Sequence, residues 1–207
     1  MTRIILVRHG QTEWNRVERF RGRMDVALNE TGLAQAEALA ERLSTEPISA
    51  IYTSPLSRAM QTAQPTAQRL GLLVLPLEGL IDIDYGQWGG LSPAEANALY
   101  PDIYYLWRTR PQLVDIPGGE NLAKVRARAI SSVKEVAARH EGQTILLVAH
   151  QVVNKVLVCA MLGLDNSHFW RIQQDNGCLN IFEYSDGDFL TICINDTCHL
   201  KTFTTPG

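Results

Sequence analysis

The sequence lacks a surplus of positive charge: 19 lysines and arginines stand against 22 aspartates and glutamates, a net charge of −3. A broad nucleic-acid-binding surface carries a basic balance, so nucleic acid is not an expected partner. A small, intensely basic pocket remains compatible with this total. Long apolar runs are missing too. At the N-terminus only residues 4–7 are apolar before charge returns at Arg8, which is too short for a signal-peptide core or a membrane span. A cytoplasmic protein without a membrane partner is expected. Cysteine is sparse and scattered: Cys159, Cys178, Cys193 and Cys198 form no CxxC pair, and no histidine cluster at zinc-ligand spacing accompanies them. No metal site is expected on that pattern, and no Cys193–Cys198 bridge in a chain without secretory features. Repeats, low-complexity tracts and linkers rich in proline or glycine are also absent. The 207 residues therefore read as one domain, 1–207, long enough for a full core.

What is present is ordinary globular material, 45 % hydrophobic and 20 % charged. Residues 3–7 form a short apolar run that stops at Arg8-His9-Gly10, the pattern of a buried strand feeding a functional loop. Over 31–43, Leu33, Ala36, Leu39, Ala40 and Leu43 recur at helical spacing. Further strands are expected at 49–53, 72–75 and 144–149, and further helices at 54–70, 121–139 and from His150 to about 162. Two last strands, 179–184 and 189–194, flank the turn Ser185-Asp186-Gly187-Asp188. Residues 77–120 read as a cap-like excursion, mostly loop, with one helix opened by the capping box Ser92-Pro93-Ala94-Glu95 towards Tyr100. Strands alternating with helices predict an α/β three-layer sandwich, a mostly parallel central sheet flanked by helices.

In such a sheet ligands bind beyond the carboxyl ends of the strands. Two of the expected strands end in histidine, at His9 and His150. If those strands are neighbours, two imidazoles meet at one sheet edge beside Arg8. Arg58 follows another strand exit within the first turn of the next helix. Two histidines and two arginines make an anion site, and the planar fork of arginine suits the oxygens of a small tetrahedral anion.

The run Arg8-His9-Gly10-Gln11-Thr12-Glu13-Trp14-Asn15 resembles the signature of the histidine phosphatase superfamily, which includes the cofactor-dependent phosphoglycerate mutases. The resemblance spans nearly the whole chain, through residues 28–36, 54–63, 86–90, Gly118-Gly119-Glu120 and Val148-Ala149-His150. It implies that His9 is the nucleophile and carries the phosphoryl group, with Arg8, Arg58 and His150 holding the non-bridging oxygens and Asn15 joining that cradle. It implies no cofactor and no metal. The proton donor of the family is a glutamate four residues before the glycine that matches Gly86. Asp82 stands there, one methylene shorter, and Asp84 is its rival. Family mutases carry an insertion rich in arginine and proline; residues 87–117 have only Arg108 and Arg110 as basic residues, so hydrolysis is expected rather than a mutase reaction.

Residues 81–88, Phe169-Trp170, Asp175-Asn176 and residues 195–200 are similar to the metal-independent phosphoserine phosphatases of this superfamily. That likeness implies a small phosphomonoester substrate, L-phosphoserine first. Tyr85 departs from the histidine expected at its position, whereas His199 matches a C-terminal histidine near the substrate. Candidate substrate-binding residues are accordingly Asn15, Arg21, Gly22, Asp84, Tyr85 and His199. A broad-specificity phosphatase, a phosphoglycerate mutase and a non-catalytic module that binds a phosphorylated ligand are the alternatives. A homodimer could use the tail strands, through Phe182, Phe189 and Ile192.

Overall fold

The computed structural model describes residues 1–203, with side chains through Leu200. In chain order its elements are β1 (Thr2–Arg8), α1 (Glu13–Arg16), α2 (Glu30–Leu43), β2 (Ile48–Thr53), α3 (Ser57–Leu70), β3 (Val74–Pro76), α4 (Pro93–Leu99), α5 (Pro101–Thr109), α6 (Leu122–Arg139), β4 (Thr144–Ala149), α7 (Gln151–Met161), β5 (Leu179–Ser185) and β6 (Asp188–Asp196). The strands make one sheet in the order β3-β2-β4-β1-β5-β6. The first four positions are parallel, while β5 and β6 add an antiparallel hairpin.

Burial explains why these sequences form those strands. Every residue of β4, Thr-Ile-Leu-Leu-Val-Ala, is buried, as a central parallel strand covered on both faces must be. Because side chains alternate across a strand, Ile5, Val7, Ile51, Leu146 and Val148 pack with Leu39, Leu43, Ala59 and Ala63 of α2 and α3. Ile4, Leu6, Ile145 and Leu147 pack on the other face with Val125, Val133, Val136, Val153 and Leu157 of α6 and α7. Each such Leu or Ile contributes about 1.5–3 kcal/mol by leaving water. The result is the three-layer α/β arrangement expected from the sequence.

Some boundaries differ from the periodic reading. The helix expected from 54 starts at Ser57, because Ser54 and Pro55 belong to the strand exit. Residues 77–90 hold two 3₁₀ turns, Glu78–Leu80 and Gly86–Trp88, which need no apolar period. The excursion carries a second helix, α5, begun by Pro101 at its first turn. Trp107 of that helix is buried against Trp88 and Phe169 and anchors the excursion to the body. In the tail, Phe182 is fully buried in the core and so is withdrawn from the expected dimer edge, while Leu190 and Ile192 of the edge strand β6 stay exposed. Among the described residues no helix is long and apolar enough to cross a membrane.

Candidate active site

The parallel register of β1 and β4 pairs Val7 with Val148 and Arg8 with Ala149. One residue further, His9 and His150 leave the sheet side by side, their ring centroids 5.2 Å apart. The His9 amide still donates to the Ala149 carbonyl at 3.0 Å. On the other flank of β4, the Ser54 amide donates to Val148 O at 2.9 Å and delivers the first turn of α3, with Arg58, to the same edge. Sheet topology alone has brought together the residues that lie far apart in sequence.

Packing behind the nucleophile loop is tight. A Cβ on Gly32, in the first turn of α2, would sit 2.0 Å from the Gln11 carbonyl oxygen, so only glycine lets α2 approach this loop. Asn176 Nδ2 donates to the carbonyls of His9 and Gly10 at 3.2 and 3.3 Å, and the Gly177 amide donates to those of Arg8 and His9. His9 is thereby held from both sides.

Its tautomer follows from one hydrogen bond. Nδ1 lies 2.6 Å from the Gly10 carbonyl, which can only accept, so Nδ1 carries the proton. Nε2 keeps its lone pair and is buried without a partner among the described residues. Burial, and then the guanidiniums of Arg58, Arg8 and Arg21, hold the His9 imidazole well below its ordinary pKa. A neutral, correctly tautomeric, unpartnered nitrogen is what nucleophilic attack requires.

His150 has the opposite tautomer. Its Nδ1 accepts from Arg58 Nε at 3.2 Å, so Nε2 carries the proton and donates to Ser54 Oγ at 2.7 Å. Burial and Arg58 keep this ring neutral as well. Arg58 is fully buried and directs its donors to four acceptors: His150 Nδ1, Met24 O, Gly22 O and, at 3.0 Å, Asp82 Oδ2. Gly22 presents that carbonyl from a left-handed backbone (φ +51°), and a Cβ there would meet the Ile83 carbonyl oxygen at 2.7 Å. The other oxygen of Asp82 accepts the Ile83 amide at 2.9 Å. Arg8 donates to the Gln174 carbonyl at 2.6 Å while its Nε is unpartnered, and burial lowers its pKa to about 10. Thr12 donates twice to Asn15 Oδ1, which leaves the amide nitrogen of Asn15 as its donor.

Arg8, Asn15, Arg21, Asp82 and Tyr85 line a cleft of about 440 Å³. The buried Nε of Arg21 has no partner among the described residues. Aromatic rings of Phe20, Trp107 and Trp170 and the charged groups of Glu18, Arg19 and Arg108 complete much of the wall. Tyr85 packs its ring on Phe20 and Trp107, and burial pushes its hydroxyl above the ordinary pKa, so it stays protonated.

Of the six expected substrate-binding residues three do not line the cleft: Gly22, whose carbonyl is turned to Arg58, Asp84 and His199. Asp84 turns away: its carboxylate accepts the Gly86 amide and faces Arg23, because the loop needs it as a turn-maker. His199 contacts the Gly177 carbonyl at 3.1 Å from behind the nucleophile loop, and the cleft wall does not include it. Sequence reasoning also missed Ser54, the acceptor for His150, and Asn176, although Asn176 lay within a recognised dipeptide. Glu18 and Arg19 could have been suspected from their place two or three residues before Arg21.

The buried neutral imidazoles set an acid limit on folding. In the unfolded chain His9 and His150 take up protons near pH 6.5, but in the folded chain only well below it. The unfolded state then binds more protons as pH falls, so stability present above pH 6.5 is lost below it, by up to about 1.4 kcal/mol per pH unit per histidine. Denaturant titrations between pH 7 and 5 should show this decline, and His9→Asn should make it shallower; an unchanged slope would contradict the assignment.

The family model described as histidine phosphatase superfamily (branch 1) matches residues 4–197. Phosphoserine phosphatase 1 of Hydrogenobacter thermophilus is 38 % identical over 203 residues, covering 98 % of this chain and 96 % of that protein. Among solved structures, Bacillus stearothermophilus YhfR superposes with a TM-score of 0.93 at 32 % identity, over 97 % of this chain and all of the other. The phosphoserine phosphatase of Entamoeba histolytica, in an H9A mutant complexed with phosphoserine, superposes with a TM-score of 0.88 at 27 % identity, over 97 % of this chain and all of that one.

Proposed function

This chain belongs to branch 1 of the histidine phosphatase superfamily, and from that premise we propose that it hydrolyses small phosphomonoesters through a phosphohistidine on His9, with L-phosphoserine as the preferred substrate. The observation that carries the reading is the buried Nε2 of His9, unpartnered among the described residues, in the field of Arg58 and of Arg8 and Arg21, the last two of which line the cleft. Nε2 attacks phosphorus. Arg8 and Asn15 hold the non-bridging oxygens, joined by the Nε2–H of His150 once it exchanges Ser54 Oγ for a phosphoryl oxygen, and Arg58 supplies charge from beneath. Asp82 takes the proton carried in by the phosphomonoester monoanion and passes it to the leaving alkoxide; water then attacks the phosphohistidine with the resulting carboxylate as base, releasing phosphate and neutral His9.

The amino-acid end of L-phosphoserine calls for a donor to its carboxylate and an acceptor for its ammonium. Arg21 and Arg108 offer the first and Glu18 the second, all on the cleft wall. The relative from H. thermophilus, named for phosphoserine, supports this choice. A second reading, broad specificity for bulkier esters, draws on the aromatic wall of Phe20, Tyr85, Trp107 and Trp170.

A panel of L-phosphoserine, 3-phosphoglycerate, sugar phosphates and phosphothreonine, compared by kcat/KM with and without chelator, tests these readings. L-phosphoserine should lead, and chelator should leave the rates unchanged. Equal rates across the panel would favour broad specificity, and conversion of 3-phosphoglycerate to 2-phosphoglycerate a mutase. Strong inhibition by chelator would contradict the metal-free scheme.

A further inference from the structure

Asp82 sits on a segment with no sheet ladder to hold it: only short 3₁₀ turns interrupt residues 77–92. A shorter acid makes that placement critical. Aspartate has two side-chain torsions and one methylene fewer than glutamate, so an error in its backbone position reaches the carboxyl almost undiminished. Something outside the segment must fix its backbone.

Arg128 of α6 does so. Its Nη1 donates to the carbonyls of Gly79 and Ile81 at 2.9 and 2.6 Å, and its Nη2 to that of Asp82 at 3.2 Å. Nε and Nη2 also donate to the two oxygens of Glu120, each at 3.0 Å. All five N–H groups of the guanidinium are thus engaged, a geometry lysine cannot copy. Glu120 continues the tie. Its carboxylate accepts the Asp84 amide at 3.0 Å, its own amide donates to the Asp84 carbonyl at 2.8 Å, and Arg23 reaches it at 3.3 Å. Asp82 is therefore braced on both sides in sequence, at 79–81 and at 84, and Arg23 brings in the loop that carries Arg21 and Gly22. Neither Arg128 nor Glu120 lines the cleft.

We propose that Arg128, acting with Glu120, is the positioning residue for the proton donor, setting the reach of Asp82 towards the leaving oxygen without touching substrate. This rests on the reading of Asp82 as the acid given above. An arginine that merely stabilised the fold would lower turnover of all substrates alike. A positioning residue has a different signature: loss concentrated on esters whose leaving group needs a proton.

The test compares kcat/KM for 4-nitrophenyl phosphate, whose leaving group needs little protonation, with that for the best alkyl phosphate of the panel. Wild type, Asp82→Asn, Arg128→Gln, Arg128→Lys and Glu120→Gln are assayed below their melting temperatures. Asp82→Asn should lower the alkyl-to-aryl ratio by about 10²-fold or more. Arg128→Gln should lower it about tenfold, and Arg128→Lys and Glu120→Gln should move it the same way. If Arg128→Gln does not fold, the other two variants decide the matter. An unchanged ratio in the Arg128 and Glu120 variants, with a lowered ratio in Asp82→Asn, overturns the positioning role alone. An unchanged ratio in Asp82→Asn overturns the acid assignment, and the positioning role with it.

Discussion

His9→Ala is expected to reduce turnover by at least about 10⁴-fold and to abolish acid-labile phosphoryl labelling of the protein, the magnitude following from loss of a nucleophile that acts as a unit with its neighbours. The expectation rests on there being no substitute. His150 is the nearest imidazole, but its Nδ1 accepts from Arg58 and its Nε2 carries the proton given to Ser54. Its lone pair is therefore occupied, and turning it towards phosphorus would break both contacts. The variant should fold, since His9 makes one side-chain hydrogen bond, to the adjacent carbonyl of Gly10, while Asn176 and Gly177 still hold the backbone of the loop. It should also still bind substrate, because Arg8, Arg21 and Asn15 are untouched. Quenching the wild type and the variant during turnover of a radiolabelled substrate separates the cases. A label that survives in His9→Ala would place the nucleophile elsewhere.

The parts of this site legible in the sequence were those tied to strand ends. A run such as Ile-Ile-Leu-Val followed by Arg-His reports both a buried strand and the point where it stops, and the parallel register does the rest. Arg58 was legible because a helix following a strand exit begins at a predictable place. The excursion was harder. Helix α5 turns Ile103, Tyr104 and Trp107 inward and leaves Tyr105 exposed, but its 9 residues are a short window for a period to show among the loops around it. Asp84 and His199 misled for another reason. Their residue types suit substrate binding, but local turn chemistry and a tail that packs behind the nucleophile loop decide where they go, and no spacing rule reports either. Arg128 left no sign at all. An arginine on a helix at ordinary amphipathic spacing looks solvated until the carbonyls it meets, 46 to 49 residues away, are known.

Arg58→Met is expected to damage stability and turnover together, and a second substitution should pull the two effects apart. The guanidinium is the only side-chain donor hydrogen-bonded to Asp82 among the described contacts, and it also satisfies the carbonyls of Gly22 and Met24. Its loss would leave a carboxylate of 5 % exposure without its counter-charge, a change that typically costs about 3–5 kcal/mol. For a domain of this size that corresponds to a melting temperature lower by about 10 °C. Turnover should fall about 10²- to 10³-fold, the usual consequence of deleting one preorganised charged group beneath a reacting centre. Adding Asp82→Asn removes the orphaned charge, so the double variant should be more stable than Arg58→Met alone. Its turnover of alkyl esters should not recover, because the acid is now absent as well. Additive losses of stability in the two single variants and the double variant would show that the pair is not coupled, and would contradict the arrangement in which Arg58 holds His150 from one side and Asp82 from the other.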